Sequence, residues 1–534
     1  MESTYIFINA QVYTMEKENS KAEAFAIHGG KFLCVGTNGE IRSIPHDHCI
    51  DLGGHTVLPG LIDSHLHISA SARQFSAVDL RGAKSIEDVL DRLRKKVQIT
   101  PPGQWIRGLN FDHELFDPPL LPNRHDLDSI SADHPIFISR YCQHAHVANT
   151  LALQLAGMYH PYPTSSDTLP LEENGYPNGI LLDLAAEKVV SLIPQSYNEE
   201  ANLRAVCRDM AQHGLTGGHT VRGIHVNLDE SIDIYQNLLE EHALPLRVYV
   251  SFDELPSLPM RTGFGNENIR YGFYKIYLDG SLGTRGAALC EDYSDAPGKK
   301  GFLNYSQEKL NAMVLSAHER GIQVGIHCVG DAAIDASITA FEVAWHKVPR
   351  KGTRFRLIHA SVMTPELIER CRTLPIVFDC QPQFVSSDVR WAGNRLGTDR
   401  AKYTFAYRKL LDAGFIVAGG SDSPVESYDP FAGIWSAVNR CAPDGYPANV
   451  WYPENCCTVY QALCMYTKNA AFASFEENVK GTITPGKLAD FVVVDRNPFG
   501  IDPAGLRDIK VLSTYLGGIC TYDSGSLSTL GNPL

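Results

Sequence analysis

Long apolar runs and positive charge are both scarce in this sequence. No stretch of about 18 consecutive apolar side chains occurs in the 534 residues, so no transmembrane helix is expected. The 61 acidic residues outnumber the 47 Lys and Arg, and the resulting net charge of −14 argues against nucleic acid or an anionic membrane as the main partner. Residues 1–20 lack a basic segment and a small-residue cleavage site, which predicts a strand rather than a signal peptide.

Motifs for disulfides, zinc ribbons and nucleotides are also missing or incomplete. The 13 cysteines are odd in number and scattered, and none shows the two-residue separation of a zinc ribbon. We therefore expect reduced thiols and a cytoplasmic location. Segment 481–487 begins like a phosphate-binding loop, but Leu488 stands where Ser or Thr is required and a strand-like run follows. No nucleotide site is predicted there.

Both ends of the chain are rich in short strand-like runs. Examples are 5–8 and 24–27 near the start, and 489–494 and 510–515 near the end, with polar or Gly-rich turns between strands. A chain of this length is expected to form two or three domains. We predict that 1–56 and 476–534 pair into one small β-sandwich domain.

The middle of the chain, 57–475, alternates apolar strand candidates with helical patterns. About eight such strands can be counted, the number that closes a parallel (β/α)8 TIM barrel, and helices are predicted between them at 307–320, 334–346, 365–372 and 400–413. The fold class is thus α/β. Roughly 150 residues separate the first two strands, far more than one crossover helix needs. We infer an inserted α+β subdomain at about 70–205, rooted at the catalytic face of the barrel.

Histidines, a lysine and an aspartate fall where these strands end. His65 and His67 are two residues apart, so on a strand they face the same way and can bind one metal ion. Three further positions follow the same pattern on later strands: Lys275, His327 and His359. Asp422 follows the eighth strand. Because active sites of barrels lie at the carboxyl ends of the strands, these side chains are expected to converge.

The segments that carry these residues resemble the amidohydrolase superfamily, and in particular its amidohydrolase-3 branch, which includes N-substituted formamide deformylases. The segments are PGLIDSHLH at 59–67, YKIYLDGSLGTRGAA at 274–288, GIHCVGDAAID at 325–335, LIHAS at 357–361, GGSDSPVE at 419–426 and GTITPGKLADFVVVD at 481–495. The resemblance extends over almost the whole chain.

This resemblance implies a centre of one or two divalent metal ions. His65, His67 and Asp422 would hold the more buried ion, and His327 and His359 a second one. Lys275 would bridge them as a carbamate formed with CO2, because an ammonium group cannot bind a cation. Zinc is the first candidate, and histidine and carboxylate ligands also accept iron or manganese. The alternative for Lys275 is a structural lysine paired with an acid such as Asp279.

The resemblance also implies an enzyme that hydrolyses a non-peptide C–N bond, an amide, in a small-molecule substrate. A metal-bound hydroxide would attack the carbonyl carbon, with Asp422 as the general base. The same centre acting on an ester, lactone or cyclic amide is the alternative. A non-catalytic scaffold relative is a further one, although every ligand position is occupied in this chain. The family suggests a homodimer.

Three further residues are candidates for substrate binding. Arg285 could bind a carboxylate or carbonyl group, or form a salt bridge within its loop. Asp331 could orient a ligand or cap a helix. His144, and with it His146, could reach the pocket from the insert. His219, at the end of the second strand, is expected to support the ligands rather than to bind metal.

Overall fold

The computed structural model describes residues 3–75, 77–140, 145–165, 168–194, 199–222 and 228–526. It contains two compact units, one formed by Met1–Ala70 with Val206–Leu534 and the other by Ser71–Ala205. No helix in the described ranges is both long enough and apolar enough to cross a membrane.

The first unit is built on a sheet of eight parallel strands. In chain order these are β1 (Leu61–Leu66), β2 (Leu215–Val221), β3 (Arg247–Phe252), β4 (Ile269–Tyr277), β5 (Gln323–Cys328), β6 (Phe355–His359), β7 (Ile376–Cys380) and β8 (Ile416–Gly419). Each strand pairs with the next one along the chain, so the order around the sheet follows the sequence. The predicted α/β fold with an eight-stranded barrel is confirmed.

The barrel closes where the loop after β8 meets β1. The backbone N–H of Asp422 donates to the carbonyl of His65 at 2.7 Å, and the N–H of His67 donates to the carbonyl of Ser423 at 2.7 Å. Ser421 is tied to the Asp63 carboxylate through its N–H and its hydroxyl. These bonds join the first and last strands of the sheet, which are not otherwise paired as a ladder among the described residues.

Helices lie between and after these strands. Those of the first unit are Asn38–Arg42, Leu228–Glu240, Gln307–Glu319, Asp331–Lys347, Pro365–Cys371, Phe384–Asp388, Ala392–Ala401, Tyr407–Asp412, Pro430–Asn439, Val459–Met465 and Lys468–Ala473, with short 3-10 turns at Pro453–Asn455 and Pro503–Asp508. Helices Ile68–Phe75 and Glu199–Gln212 contain the points where the chain passes between the units. Their starts follow local chemistry: Ser306 and Thr364 accept hydrogen bonds from the N–H groups three residues on.

The helix predicted over 400–413 is split in the structure. Phe405 has a φ of 51°, which breaks the helix between Ala392–Ala401 and Tyr407–Asp412. Its N–H donates instead to the carbonyl of Ser361 at 2.9 Å, in the loop that follows β6. A tertiary hydrogen bond therefore overrides the local helical pattern at this point.

Two further sheets lie in the first unit, one formed by strands near the start of the chain and one by strands from both of its ends. The four-stranded sheet has the order Lys31–Gly36, Ala24–His28, Tyr5–Ile8, His48–Asp51; the six-stranded sheet has the order Ile519–Asp523, Val511–Leu516, Phe491–Val494, Thr56–Pro59, Gln11–Tyr13, Lys21–Ala22. Phe491–Val494 runs antiparallel to Thr56–Pro59. Phe7, Phe25, Phe32 and Phe491 are buried in one shared apolar cluster, so burial of aromatic rings holds the two ends together.

The second unit has its own mixed sheet and apolar core. Its strand order is Ile180–Leu182, Ala145–Ala148, Ile136–Arg140, Ile106–Phe111, Val78–Asp79, and its helices are Ile86–Val97, Arg124–Asp128, Thr150–Leu155 and Glu187–Val190, with 3-10 turns at His113–Leu115 and Asp183–Ala186. Leu80, Leu93, Ile106 and Ile138 pack in a core of this unit. The unit is therefore an α+β structure with a separate interior.

The packing of helix Pro430–Asn439 gives a stability prediction. A Cβ at Gly433 would lie 1.9 Å from the hydroxyl of buried Tyr466, so Gly433→Ala should destabilise the protein by about 1–3 kcal/mol. The matched control is Gly393→Ala in helix Ala392–Ala401, where a Cβ meets nothing within 4 Å and alanine is favoured by about 0.5–1 kcal/mol. Thermal unfolding of both variants checks this; an unchanged midpoint for Gly433→Ala would contradict it.

Candidate metal centre

His65, His67 and Asp422 form a cluster at the closure of the barrel. One ligand atom from each lies within 4.8 Å of the others. The Nε2 atoms of His65 and His67 lie 3.5 Å and 3.2 Å from the same carboxylate oxygen, Asp422 Oδ1. The close approach of the strands depends on Gly420, because a Cβ there would lie 2.5 Å from the backbone nitrogen of His65. The three residues are therefore arranged as a group that could hold a metal ion.

Lys275, His327 and His359 join this cluster from three neighbouring strands. Lys275 Nζ lies 3.1 Å from His65 Nε2 and is almost completely buried. The ring of His359 lies 5.6 Å from that of His65 and 4.5 Å from that of His327, measured between centroids. The structure thus brings together all six of the predicted metal ligands.

The surroundings of Lys275 disfavour the structural alternative. Asp279, its predicted partner, accepts backbone N–H groups from Ala288, Val329 and Gly330 and lies 3.4 Å from His327 Nε2. Among the ion pairs of the described ranges, none joins Lys275 to a carboxylate. The hydrogen-bond contact of its Nζ in the described ranges is with Nε2 of His65, an imidazole of the cluster.

Hydrogen bonds fix the direction of two of the imidazole rings. His67 Nδ1 lies 2.8 Å from the carbonyl of Val221, and His359 Nδ1 lies 2.6 Å from Gln381 Oε1. A carbonyl oxygen only accepts, so Nδ1 carries the proton in both of these hydrogen bonds. The Nε2 atom of His67 lies 3.2 Å from Asp422 Oδ1. An imidazole nitrogen and a carboxylate oxygen at this separation can bind the same cation.

Burial keeps the imidazoles in the form that binds metals. Burial, with the charge of Lys275 second, lowers the pKa of His65 to about 4, and burial lowers the pKa of His359 to about 3. Burial also lowers the pKa of Lys275, to about 8. For Asp422 burial favours the neutral acid, but the contact with His67 and the nearby imidazoles outweigh it and hold the pKa well below its usual range. At neutral pH His65 and His359 are thus neutral imidazoles, and Asp422 is a carboxylate.

Two of the cluster residues adopt left-handed backbone conformations. His359 has a φ of 68° and Asp422 a φ of 57°, in a region that side chains other than glycine seldom occupy. Such strain costs on the order of 1–3 kcal/mol per residue and is concentrated at functional sites. His359 is the last residue of β6, and Asp422 lies three residues beyond the end of β8.

Several polar residues of the site were missed by the sequence analysis. Asp63 accepts from the N–H of His65 at 3.0 Å, Gln381 contacts His359, and Arg356 pairs with Asp379 on the neighbouring strand at 2.6 Å. Asp63, Arg356 and Asp379 are all fully buried. The available signal was a charged residue inside an otherwise apolar barrel strand, since such residues are seldom buried without a partner.

The predicted substrate-binding residues have other contacts. Arg285 forms a bidentate pair with Asp295, with both hydrogen bonds 3.0 Å long. Asp331 is the first residue of helix Asp331–Lys347 and accepts from the N–H of Cys290. Among their hydrogen bonds and ion pairs in the described ranges, none reaches the six cluster residues. A role in substrate binding stays a prediction for both.

The histidines of the insert and of β2 can be placed only in part. His144 lies outside the described residues. His146 is buried in the second unit, with its Nδ1 2.9 Å from Ser139 Oγ. His219 is buried in the barrel interior, where its Nδ1 lies 3.4 Å from Arg356 Nη2. A supporting role stays a prediction for His219.

Comparison with known proteins identifies the family. The model of the amidohydrolase family matches residues 48–522. This chain belongs to the amidohydrolase family. The resemblance seen in the sequence motifs is thereby confirmed, and the chain with its eight-stranded barrel belongs to a hydrolase family.

Relatives of similar length align with almost all of this chain. The putative amidohydrolase YtcJ of Bacillus subtilis is 33% identical over 96% of this chain and 98% of its own. The N-substituted formamide deformylase of Arthrobacter pascens is 30% identical over 97% of this chain and 98% of its own. The crystal structure of an uncharacterized metal-dependent hydrolase from Pyrococcus horikoshii superimposes with a TM-score of 0.77, at 27% identity over 94% of this chain and 99% of that one.

The depressed histidine pKa values predict an acid-sensitive metal-free protein. The unfolded chain binds a proton at His359 near pH 6.5, whereas the folded chain does so only near pH 3, so stability is lost as the pH falls between these values. As the pH falls, the free energy of unfolding of His359→Gln should decrease less steeply than that of wild type, by up to about 1.4 kcal/mol per pH unit. Thermal unfolding with chelator present checks this, with the exposed His46→Gln as control; parallel curves for wild type and His359→Gln would disprove it.

Proposed function

We propose that this protein is a metal-dependent hydrolase of a non-peptide C–N bond, an amide with a small acyl group. The observation that carries the proposal is the convergence of four histidines, Lys275 and Asp422 at the closure of the barrel. The family membership supports hydrolysis, and the formamide deformylase among the relatives supports an amide as the bond.

The proposed metal ligands divide into two sets. His65, His67 and Asp422 would hold one ion, and His327 and His359 a second. Lys275 would lie between the sets as a carbamate, which supplies two anionic oxygens in place of a cation. Its burial, with no ion pair to a carboxylate among the described residues, supports this, because the neutral amine is the form that reacts with CO2. We propose zinc, which imidazole and carboxylate ligands bind well.

A divalent ion bound in this cluster would lower the pKa of water and polarise the scissile carbonyl. Asp422 would then accept the proton of the attacking water on its carboxylate and pass it to the leaving nitrogen. Its Oδ1 atom lies 3.5 and 3.2 Å from the Nε2 atoms of His65 and His67, beside the proposed position of the ion. Gln381 and the carbonyl of Val221 would hold the imidazoles in place while this happens.

Aromatic rings next to the cluster provide an apolar surface for a substrate. The ring of Phe384 stacks on His359 at 6.0 Å, and the ring of Tyr277 lies 5.9 Å from that of His327. The Lys275 nitrogen is 4.9 Å from the Tyr277 ring. Such a flank would exclude water from the reacting carbonyl and favour an apolar substituent on the amide.

Metal content tests the role of Lys275. Wild type prepared with zinc and bicarbonate should contain about two ions per chain, and Lys275→Ala about one or none, because the bridging ligand is lost. Amide hydrolysis should fall by about a hundredfold or more. The exposed Lys309→Ala serves as control. One ion in both wild type and Lys275→Ala would indicate a mononuclear hydrolase with Lys275 in a structural role. No bound metal in reconstituted wild type would disprove the catalytic proposal and favour a scaffold protein.

Paired amide and ester substrates test which type of bond the enzyme hydrolyses. We expect N-formyl amines to be hydrolysed with a greater acceleration over the uncatalysed rate than formate esters carrying the same substituent, since general-acid help from Asp422 matters most for a poor nitrogen leaving group. The measurement is kcat/KM for each pair with the zinc-loaded enzyme. Turnover of esters, lactones or cyclic amides without turnover of the open-chain amides would assign the alternative bond to the same centre.

A further inference from the structure

A charged cluster lies inside the barrel, on the strands that carry the proposed metal ligands. The interior of such barrels is mostly filled by branched apolar side chains. Here Arg356 Nη2 donates to Asp379 Oδ2 at 2.6 Å and to the carbonyl of Ser64 at 2.7 Å, and Ser64 Oγ donates to Asp379 Oδ1 at 2.5 Å. The three side chains are completely buried. Both carboxylate oxygens of Asp379 are thus held in fixed positions.

Stability alone does not account for this cluster. A buried ion pair loses its hydration, and apolar residues of similar volume often stabilise a protein as well or better. Within the described residues, Arg356 Nε and Nη1 have no hydrogen-bond partner, so its desolvation is only partly compensated. The reason for burying the Arg356–Asp379 pair is therefore to be found in the residues that it contacts.

The contact that matters is with His65. Asp379 Oδ2 lies 3.5 Å from His65 Nδ1, which has no hydrogen-bond partner within the described residues. The other ring nitrogen, Nε2, faces Lys275 and Asp422. The ring of Phe273 stacks against the His65 ring at 6.5 Å, and the Arg356 guanidinium lies 4.3 Å from the centre of the Phe273 ring. His65 therefore has a carboxylate at its inner edge and an aromatic ring on its face.

We propose that Asp379 is a positioning residue for His65, held in place by Arg356 and Ser64. The inference rests on the proposed metal centre. The carboxylate keeps the proton of His65 on Nδ1 and aims the Nε2 lone pair at the site. Partners of this kind orient a ligand before the ion arrives, and their removal typically lowers metal affinity about 10- to 100-fold.

A second buried Arg–Asp pair in the same unit supplies a matched control. Arg247 on β3 donates to Asp490 through two hydrogen bonds of 2.7 and 2.9 Å, and both side chains are nearly as buried as the first pair. Asp490 also accepts from the N–H of Gly517. Asp490→Asn therefore weakens a buried ion pair to a similar extent as Asp379→Asn. None of the described contacts of Asp490, however, is with a proposed ligand.

The test is zinc affinity, measured on the full chain by competition with a chromophoric chelator. Asp379→Asn should bind zinc about 10- to 100-fold more weakly than wild type, and Asp490→Asn should stay within about twofold of it. The absorption spectrum of bound cobalt should change for Asp379→Asn only, because a turned imidazole alters the ligand field. In the zinc-saturated enzyme Asp379→Asn should lower kcat more than it raises KM.

The outcomes separate this inference from the proposed function. Wild-type zinc affinity and an unaltered cobalt spectrum for Asp379→Asn would overturn the positioning role and leave the metal centre in place. An equal loss of affinity in Asp490→Asn would overturn it too, by assigning the effect to general destabilisation. Failure of wild type to bind zinc would overturn both proposals. If Asp379→Asn does not fold, Ser64→Ala decides: a loss of about three- to tenfold supports the inference, and unchanged affinity contradicts it.

Discussion

The closure of the barrel between its first and last strands is the constraint on which the site depends. The backbone hydrogen bonds of Asp422 to His65 and of His67 to Ser423 hold two segments together that are more than 350 residues apart in the sequence. The carboxylate of Asp63 reinforces this closure through Ser421. Because Asp422 is fixed by its backbone, its side chain can meet two imidazoles at 3.2 and 3.5 Å without a further loop to position it.

The site concentrates groups that are costly to bury. Three features disfavour the folded metal-free protein: histidines with depressed pKa values, the buried Lys275 with a lowered pKa, and the left-handed backbone at His359 and Asp422. The surrounding parallel sheet, formed by apolar strands, supplies the stability that offsets these costs. A bound metal ion would recover part of the same free energy, which links metal binding to stability.

Much of the fold and of the cluster could be predicted from the sequence. Most of the barrel strands are apolar runs, and the six proposed ligands lie near the strand ends or just beyond them, where parallel strands place their polar residues at one face. The prediction of one helix over 400–413 was wrong, because Phe405 hydrogen-bonds to Ser361 and breaks the helix. Asp379 and Arg356 were missed for a related reason: a charge inside a strand shows that a partner is needed but does not say which residue it is.

The sequence by itself determined which residues we propose as ligands and their order, since a His-x-His pair on a strand points both rings the same way. It also determined the family, through motifs spread along the whole chain. Only the tertiary structure decided which residue contacts which: that Lys275 faces His65 rather than Asp279, that Arg285 pairs with Asp295, and that Asp379 lies beside His65. Strand periodicity is a local property of the chain, whereas distances between strands exist only once the barrel has closed.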